Sequence, residues 1–590
     1  MTVSVRKPGR MVASQGVPAS VPASSAASVG ASRDEARGAA RSRRRLWLLR
    51  GLTAGLPVAL LLLVELALRL VPAWSEVRDP YVNVSSLSAF SRQTIDGREY
   101  FTITHDRVYS HGSVRIAVEK PANTLRIFCV GSSACAGWPH PQGETFTAYL
   151  KQALATAHPG MNVEVVNAAA HGFAAYRTRR ILDEVVEMQP DAILVWEGNN
   201  EFLEDRSYDS AGAWVDSLAS HLRVTQALVG LAHRRMELRG EELRGEAQTL
   251  WKKMHQQALR LREDPAQFAK VKEHFKISFE HMVEAAQRHH VPLVLCTVPV
   301  NLRDWLPTVS RNRLEGDARQ EWQRHCDEAR RGLEQGDCAH GIDQMRQALA
   351  MEGEHAESWF WLGRLLEADG QKAAARDAYG KARDLDLNPF RAIGAFNETI
   401  RELAQENRGR GVLLLDLERL FSAATQNAAP GFDLFLDYVH PTKPANLRVA
   451  AWVYDLLANE GVAPKKAATD RFEYHDLPTW PDHQPYRDET DRQLQNALLA
   501  LAQMNRQYER SLELTEALFE QANGQRPSGT DDPMLARAAP LIRESYVVFK
   551  GYLDVERRRI AGEPVTAEQQ QAAARALDGF YDKYYAPRPN

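Results

Sequence analysis

The sequence predicts an α/β protein whose five-stranded parallel sheet is sandwiched by helices. Short apolar runs rich in Val, Ile and Leu alternate with amphipathic helical patterns over much of the chain. Near-continuous apolar strands are typical of parallel sheets that are buried on both faces by crossover helices. The predicted strands are TLRIFCVG (124–131), NVEVVN (162–167), DAILVWE (191–197), VPLVLCTVP (291–299) and GVLLLD (411–416).

Composition narrows the functional class. The 590 residues leave room for three or four structural units. A net charge of −3, from 73 basic and 76 acidic side chains, provides no general positive field for a nucleic-acid partner. The five cysteines show no CxxC or Cys/His ligand spacing. We therefore expect no structural zinc. We also expect no other metal and no cofactor.

The N-terminal 72 residues predict a tail followed by a membrane anchor. Residues 1–45 have no apolar periodicity and predict a disordered cytoplasmic tail. Residues 46–72 are strongly apolar and predict a transmembrane signal anchor. Glu65 and Arg69, which are four positions apart, can pair and extend the apolar stretch to the ~20 residues that a span needs.

The charge on either side of this stretch predicts its orientation. The cluster RSRRR (41–45) precedes it. The positive-inside rule then gives a cytoplasmic N-terminus and an extracytoplasmic remainder, which in a bacterium is periplasmic. The alternative is a signal peptide that is cleaved near Pro72–Ala73 and releases a soluble protein.

The rest of the chain divides by pattern. The predicted segments are a connecting segment at 73–120, an α/β domain at 121–461 with a helical excursion at 203–290 and a repeat insert at 322–389, and a linker with C-terminal helices at 462–590.

The insert contains an internal repeat with an offset of 34 residues. Its second copy (356–389) has apolar and small residues at tetratricopeptide spacing, whereas the first copy (322–355) matches more weakly. The matching positions in the second copy are Trp359, Leu362, Gly363, Gly370, Ala375, Tyr379 and Ala382. Such arrays usually need about three units, so these two should lean on neighbouring helices. The alternative is a plain helical hairpin inserted in a loop.

Polar or glycine residues follow four of the five predicted strands. Ligands of parallel α/β sheets bind beyond the carboxyl ends of the strands, so these residues should meet at one edge. They are Gly131 and Ser133 after the first strand, Gly172 after the second, Asn200 after the third, and Asp437 and His440 after the fifth.

This set of residues resembles the SGNH/GDSL hydrolase family over 122–202 and 291–459 without the insert. The blocks that carry the resemblance are Gly131, Ser133 and Gly137; Gly172; Gly198, Asn200 and Glu201; and Asp437 and His440. The chain looks most like a membrane-anchored branch with tetratricopeptide repeats in its hydrolase domain. It departs from the pattern at Ser132, where many members have an acidic residue, and at Asn199, where related chains can have His.

The resemblance implies a serine nucleophile and an oxyanion hole. A serine hydroxyl needs a base, which His440 would supply for Ser133, while Asp437 would hold the imidazole and stabilise its charged form. The N–H groups of Ser133 and Gly172 and the side-chain amide of Asn200 would stabilise the oxyanion.

The resulting expectation is a hydrolase of carboxylic esters, such as an O-acyl group of an envelope glycan or lipid. One alternative is an envelope O-acyltransferase with the same triad. The other is an inactive assembly protein that binds partners through its repeats or C-terminal helices. Arg303 and Trp305, which follow the fourth strand, are candidate substrate contacts; alternatively they make ordinary loop contacts and pack against the insert.

Overall fold

The computed structural model describes residues 90–103, 115–203, 256–465 and 489–585, with short pieces at 56, 60–67, 78–79, 84–85 and 254. The predicted tail at 1–45 lies outside the described residues, as do most of the predicted anchor and residues 204–253 of the helical excursion. Residues 60–67 are helical, and their leucines are exposed. Within the described part of the chain, no helix combines the length and apolarity that crossing a bilayer requires.

Antiparallel strands precede the main sheet in a segment to which the sequence analysis assigned no strand. They are β1 (Arg78–Asp79), β2 (Val84–Ser85), β3 (Phe90–Ile95), β4 (Arg98–Ile103) and β5 (Arg115–Ala117). Asp96 and Gly97 both have positive φ, of 50° and 76°, and form the tight turn between β3 and β4. Strands β3, β4 and β5 form one sheet. Its Phe90 packs edge-on against Phe128 of the main core, with ring centroids 6.3 Å apart, so this sheet extends that core.

The main sheet has five parallel strands, as the sequence predicted. They are β6 (Thr124–Gly131), β7 (Asn162–Asn167), β8 (Ala192–Trp196), β9 (Leu293–Cys296) and β10 (Val412–Leu415). Their spatial order is β10-β9-β8-β6-β7. The chain therefore moves outward from β6 to β7 and then returns across β6 to β8. Right-handed crossovers in opposite directions place their helices on opposite faces, and the reversal between β6 and β8 is where such sheets bind ligands.

Helices cover both faces of this sheet, and further helices form the insert and the C-terminal region. Those of the sheet region are α1 (Ser133–Ala136), α2 (Phe146–Ala157), α3 (Ala175–Val185), α4 (Pro265–Arg288), α9 (Gly394–Glu406), α10 (Leu417–Ala424) and α11 (Lys443–Asn459). Helix α2 packs with α11, and α3 and α9 pack with α4. Every residue of β8 is buried, because it lies in the middle of the sheet under both helical layers.

The insert folds as two successive helix pairs. Its helices are α5 (Gly316–Gln335), α6 (Cys338–Met351), α7 (Ala356–Ala368) and α8 (Lys372–Leu385). Gly336 and Gly370, 34 positions apart, have similar positive φ values of 77° and 81° at the turns within the two pairs. A Cβ on Gly363 would lie 2.6 Å from the ring of Tyr379, so glycine permits the close packing of α7 on α8.

The C-terminal region is helical and touches both the insert and the sheet domain. Its helices are α12 (Glu489–Met504), α13 (Tyr508–Asn523), α14 (Pro533–Ala536), α15 (Pro540–Ile560) and α16 (Ala567–Tyr585). Arg331 of α5 donates to the carbonyl of Ile560 at 2.7 Å, which ties the insert to the end of α15. The first helix pair therefore leans on these helices.

Candidate active site

The turn from β6 into α1 presents Ser133. Gly131 is the last residue of β6, and a Cβ there would lie 2.0 Å from the carbonyl oxygen of Trp196, so the position has no space for a side chain. Ser133 is the first residue of α1 and is half-buried, whereas the three residues after it are buried. The serine hydroxyl is thus held at a helix start that remains accessible.

The structure brings Ser133, His440 and Asp437 together in a hydrogen-bonded line. The Ser133 Oγ lies 2.8 Å from His440 Nε2, and His440 Nδ1 lies 2.6 Å from Asp437 Oδ2. An ionised carboxylate only accepts, so Nδ1 carries the proton and donates to Asp437. Nε2 then accepts from the Ser133 hydroxyl, which is the tautomer that a general base requires.

Asp437 is fixed by its own turn. Its Oδ1 accepts from the backbone N–H groups of Val439 at 2.8 Å and His440 at 2.9 Å. The N–H of Leu436 donates to the carbonyl of His440 at 2.8 Å and closes the turn. Asp437 is 1% exposed and His440 4%, so water hardly screens the pair.

Direct contacts join the remaining blocks to the nucleophile turn. The N–H of Ala170 donates to the carbonyl of Gly131 at 2.9 Å, which places the loop containing Gly172 beside Ser133. The side-chain amide of Asn200 donates to the carbonyl of Phe173, next to Gly172, at 2.9 Å. Segments after β6, β7, β8 and β10 therefore meet at the carboxyl edge of the sheet.

Hydrogen-bond donors remain for a negatively charged oxygen at this edge. Within the described part of the chain, neither the N–H of Ser133 nor that of Gly172 donates to another group. Asn200 uses one amide hydrogen on Phe173 and has a second. Gly172 has a φ of 70°, a conformation that few side chains tolerate.

Neighbours of Asn200 support the site rather than face it. Glu201 is fully buried and accepts at 2.7 Å from the N–H of Ala175, the first residue of α3. That contact satisfies a free donor at the start of a helix. The side-chain oxygen of Asn199 accepts from the N–H of Ala392 at 3.0 Å, so this departure from the family pattern has a structural partner.

Ser132, the other departure, lies at the start of α1. Its side chain is 1% exposed, and its hydroxyl has no hydrogen-bond partner among the described residues.

Two aromatic residues that the sequence analysis did not identify hold the histidine turn. The ring of Trp138 lies 4.5 Å from the imidazole of His440, measured between centroids. His140 is buried and donates from Nε2 to the carbonyl of Pro441 at 2.8 Å. Burial is the main cause that lowers the pKa of His140, so it stays neutral. Trp138 and His140 lie one and three positions after Gly137, and that proximity was the only signal in the sequence.

The structure places Arg303 and Trp305 among protein partners. Arg303 pairs with Glu367 of α7 at 3.0 Å and with Asp304 at 2.7 Å. Trp305 is 2% exposed and packs 5.2 Å from the ring of Tyr438, between centroids. Trp305 therefore packs against the loop that carries His440.

No group of His, Cys, Asp and Glu in the described part of the chain has the arrangement of a metal site. The five cysteines are free thiols. Cys135, two residues after Ser133, is fully buried, and burial raises its pKa well above the ordinary value. A thiol in that state is a poor nucleophile.

No family model matches the chain, and neither does any curated protein. Among solved structures, it resembles a lipase/acylhydrolase from Enterococcus faecalis (12% identity, TM-score 0.26, covering 57% of this chain and 97% of that one). It also resembles an acetyl xylan esterase (14%, 0.26, 56% and 98%). A third is a gut microbial diltiazem-metabolizing enzyme (11%, 0.24, 79% and 96%). These likenesses are too distant to assign an activity, which depends on the geometry of the site.

Proposed function

We propose that the chain is a serine hydrolase of carboxylic esters that works through an acyl-enzyme on Ser133. The observation that carries the proposal is the line from the Ser133 hydroxyl through His440 to Asp437, with contacts of 2.8 and 2.6 Å. Nucleophile, base and orienting carboxylate at hydrogen-bond distance are the arrangement that activates a serine.

The reaction balances with these groups alone. Ser133 Oγ bonds to the ester carbonyl carbon while its proton passes to His440 Nε2. Collapse of the tetrahedral intermediate breaks the ester C–O bond, and the imidazolium returns that proton to the leaving alcohol. Water then attacks the acyl-enzyme, gives its proton to Nε2 and releases the acid, and the proton returns to Ser133. Asp437 stabilises the imidazolium at both stages.

The oxyanion that forms at each stage needs donors. The N–H groups of Ser133 and Gly172 and the second amide hydrogen of Asn200 would provide three. Fixed donors of this kind act strongly because they need no reorganisation when the charge develops.

The substrate class follows from the proposed location. We infer an O-acyl group on an envelope glycan or lipid, because residues 46–72 have the apolar pattern of an anchor that follows a basic cluster. An N-terminally tagged full chain should then stay with membranes after a carbonate wash. Recovery as a soluble protein that starts near Ala73 would contradict the anchor.

We further propose that the two helix pairs are tetratricopeptide repeats that offer a surface to a protein partner. Support comes from the 34-residue offset, the equivalent turns at Gly336 and Gly370, and the packing of Gly363 on Tyr379.

Hydrolysis of p-nitrophenyl acetate tests the proposal. The wild-type chain should release p-nitrophenol and acetate, and Ser133→Ala should lose the activity by about 10³-fold or more. Adding a sugar alcohol as acceptor separates the alternatives, because acyl transfer to it in place of water would favour an O-acyltransferase. Equal rates for the wild type and Ser133→Ala would contradict a serine enzyme of either kind.

A further inference from the structure

We infer that residues 301–306 form a brace that joins the insert and the C-terminal helices to the turn carrying Asp437 and His440, with Asn301 as the positioning residue. The inference rests on the proposed function, because it concerns the same triad. The brace begins five residues after the last residue of β9 and lies between three parts of the chain that are far apart in sequence.

Asn301 binds the catalytic turn on two sides. Its side-chain amide donates to the backbone carbonyl of Asp437 at 3.0 Å, and its own N–H donates to the carbonyl of Tyr438 at 2.9 Å. Its side-chain oxygen accepts from the N–H of Asp304 at 2.9 Å. The side chain is fully buried, so none of these bonds is exchanged with water. The turn at Asp437 is thus held to the brace by fixed polar contacts.

The insert binds the middle of the brace. Arg303 pairs with Glu367 of α7 at 3.0 Å, and Arg364 of the same helix contacts Asp304 at 3.3 Å. Asp304 in turn accepts from the N–H of Phe432 at 2.9 Å, in the segment that leads to Asp437. The half-buried ion pairs therefore join α7 to both the brace and the approach to the turn.

The segment that follows the insert adds a second link. Arg391, which is buried, donates to the carbonyl of Asn301. Burial lowers its pKa to about 10, while Asp386, just after α8, acts in the opposite direction. Arg391 therefore remains charged at neutral pH, and Asp386 is its countercharge.

The C-terminal region binds the far end of the brace. Gln507, between α12 and α13, accepts from the N–H of Leu306 at 3.1 Å and donates to its carbonyl at 3.2 Å. Leu436, immediately before Asp437, packs in an apolar cluster with Leu498 and Leu499 of α12. The C-terminal helices thus contact both the brace and the catalytic turn.

These contacts should control the rate of the chemical step. A catalytic triad reacts quickly only when its reacting atoms are held in place, and a displacement of ~1 Å lowers the rate by about 10²-fold. Loosening the brace lets Asp437 and His440 move relative to Ser133, while the substrate-facing surface stays the same. The effect should appear in the rate of serine acylation and not in the binding of a small reagent.

The test is covalent labelling of the full chain with a fluorophosphonate, resolved into a binding constant and a maximal inactivation rate. Asn301→Asp keeps the acceptor for Asp304 and loses the donor to Asp437. We expect its maximal rate to fall about tenfold or more per folded molecule, with the binding constant unchanged. Asn397→Asp is the matched control, because Asn397 is equally buried and bonds the N–H and carbonyl of Val298, which lies outside the catalytic turn. It should be destabilised similarly and label at the wild-type rate.

Gln507→Glu tests the C-terminal link in a variant that leaves the core intact. It keeps the acceptor for Leu306 and loses the donor, and it should label several-fold more slowly than Gln503→Glu. Gln503 is a suitable control because it bonds Ser545 within the C-terminal helices.

The possible results distinguish failure of this inference from failure of the proposed function. Wild-type labelling rates in both Asn301→Asp and Gln507→Glu would overturn this inference and leave the proposed function standing. Equal losses of labelling rate in the variants and in their controls would do the same. If Asn301→Asp fails to fold, Gln507→Glu against Gln503→Glu decides. A wild-type chain that is not labelled at Ser133 would overturn the proposed function and this inference with it.

Discussion

Among single residues, Asn200 gives the sharpest test of the oxyanion arrangement. Its amide is bonded to Phe173 and has one hydrogen left for a substrate oxygen. Asn200→Ala should lower kcat for p-nitrophenyl acetate by about 10²–10³-fold, because a fixed donor to the developing charge is lost. KM should change little, since the carbonyl of the bound ester is only weakly charged.

Asn199 is the matched control, because it has the same side chain, is also buried, and binds Ala392. Asn199→Ala should cost stability and leave kcat within a few-fold of wild type. Similar losses of kcat in both variants would mean that Asn200 acts only through the fold.

His140 gives a prediction on pH. Burial lowers its pKa below the ordinary value of 6.5. Because the pKa of His140 is lower in the folded protein than in the unfolded chain, the unfolded chain binds more protons as the pH falls. The free energy of unfolding should therefore fall as the pH drops below about 6.5, and the contribution is absent at higher pH, where both states are neutral.

His140→Gln keeps a donor for Pro441 and removes the titration. Urea unfolding at pH 7.5 and 5.5 should show a smaller loss of stability for this variant than for the wild type. His355, whose pKa burial also lowers, contributes in the same direction in both proteins and cancels in the comparison. Equal losses would contradict a buried neutral His140.

At the scale of secondary-structure elements, the approach of β6 to β8 at Gly131 governs the site. Gly131→Ala should destabilise the fold by about 1–3 kcal/mol or more, because the new methyl group would overlap the Trp196 carbonyl. Gly143→Ala, near the start of α2, has nothing within 4 Å of its Cβ and should be nearly neutral. Thermal unfolding of the two variants checks this, and a neutral Gly131→Ala would show that the turn can shift freely.

The strands and the block residues were predictable because their signals are local. Val and Ile runs give the buried strands; Gly131 ends β6, and Ser133 follows it by two positions. The hairpin at Asp96–Gly97 also has a local signal, because an Asp-Gly pair is typical of the tight turn between two antiparallel strands.

Contacts between distant segments were not predictable. Asn301 meets Asp437 across 136 positions, and no spacing or periodicity indicates that pairing. Arg303 and Trp305 come soon after a strand that ends at the ligand edge of the sheet. Their side chains instead contact Glu367 and Tyr438, which are far along the chain.

At the scale of the whole molecule, the helical additions are connected to the catalytic turn through the brace. The insert contacts the brace through Glu367 and Arg364. The C-terminal helices contact the brace through Gln507 and pack against Leu436, which immediately precedes Asp437. A partner that binds the repeats would therefore lie on elements that contact the brace, which in turn holds the turn of Asp437 and His440. This arrangement favours one functional unit over a hydrolase with independent appendages.

The central claim is that Ser133 is an activated nucleophile, and a fluorophosphonate probe with mass mapping of the adduct tests it most directly. The full-length wild type should gain one adduct, on Ser133, and heat denaturation or Ser133→Ala should abolish it. His440→Ala should slow labelling by several orders of magnitude, because the hydroxyl loses its base. An adduct on another residue, or none under conditions that label a control serine esterase, would contradict the account.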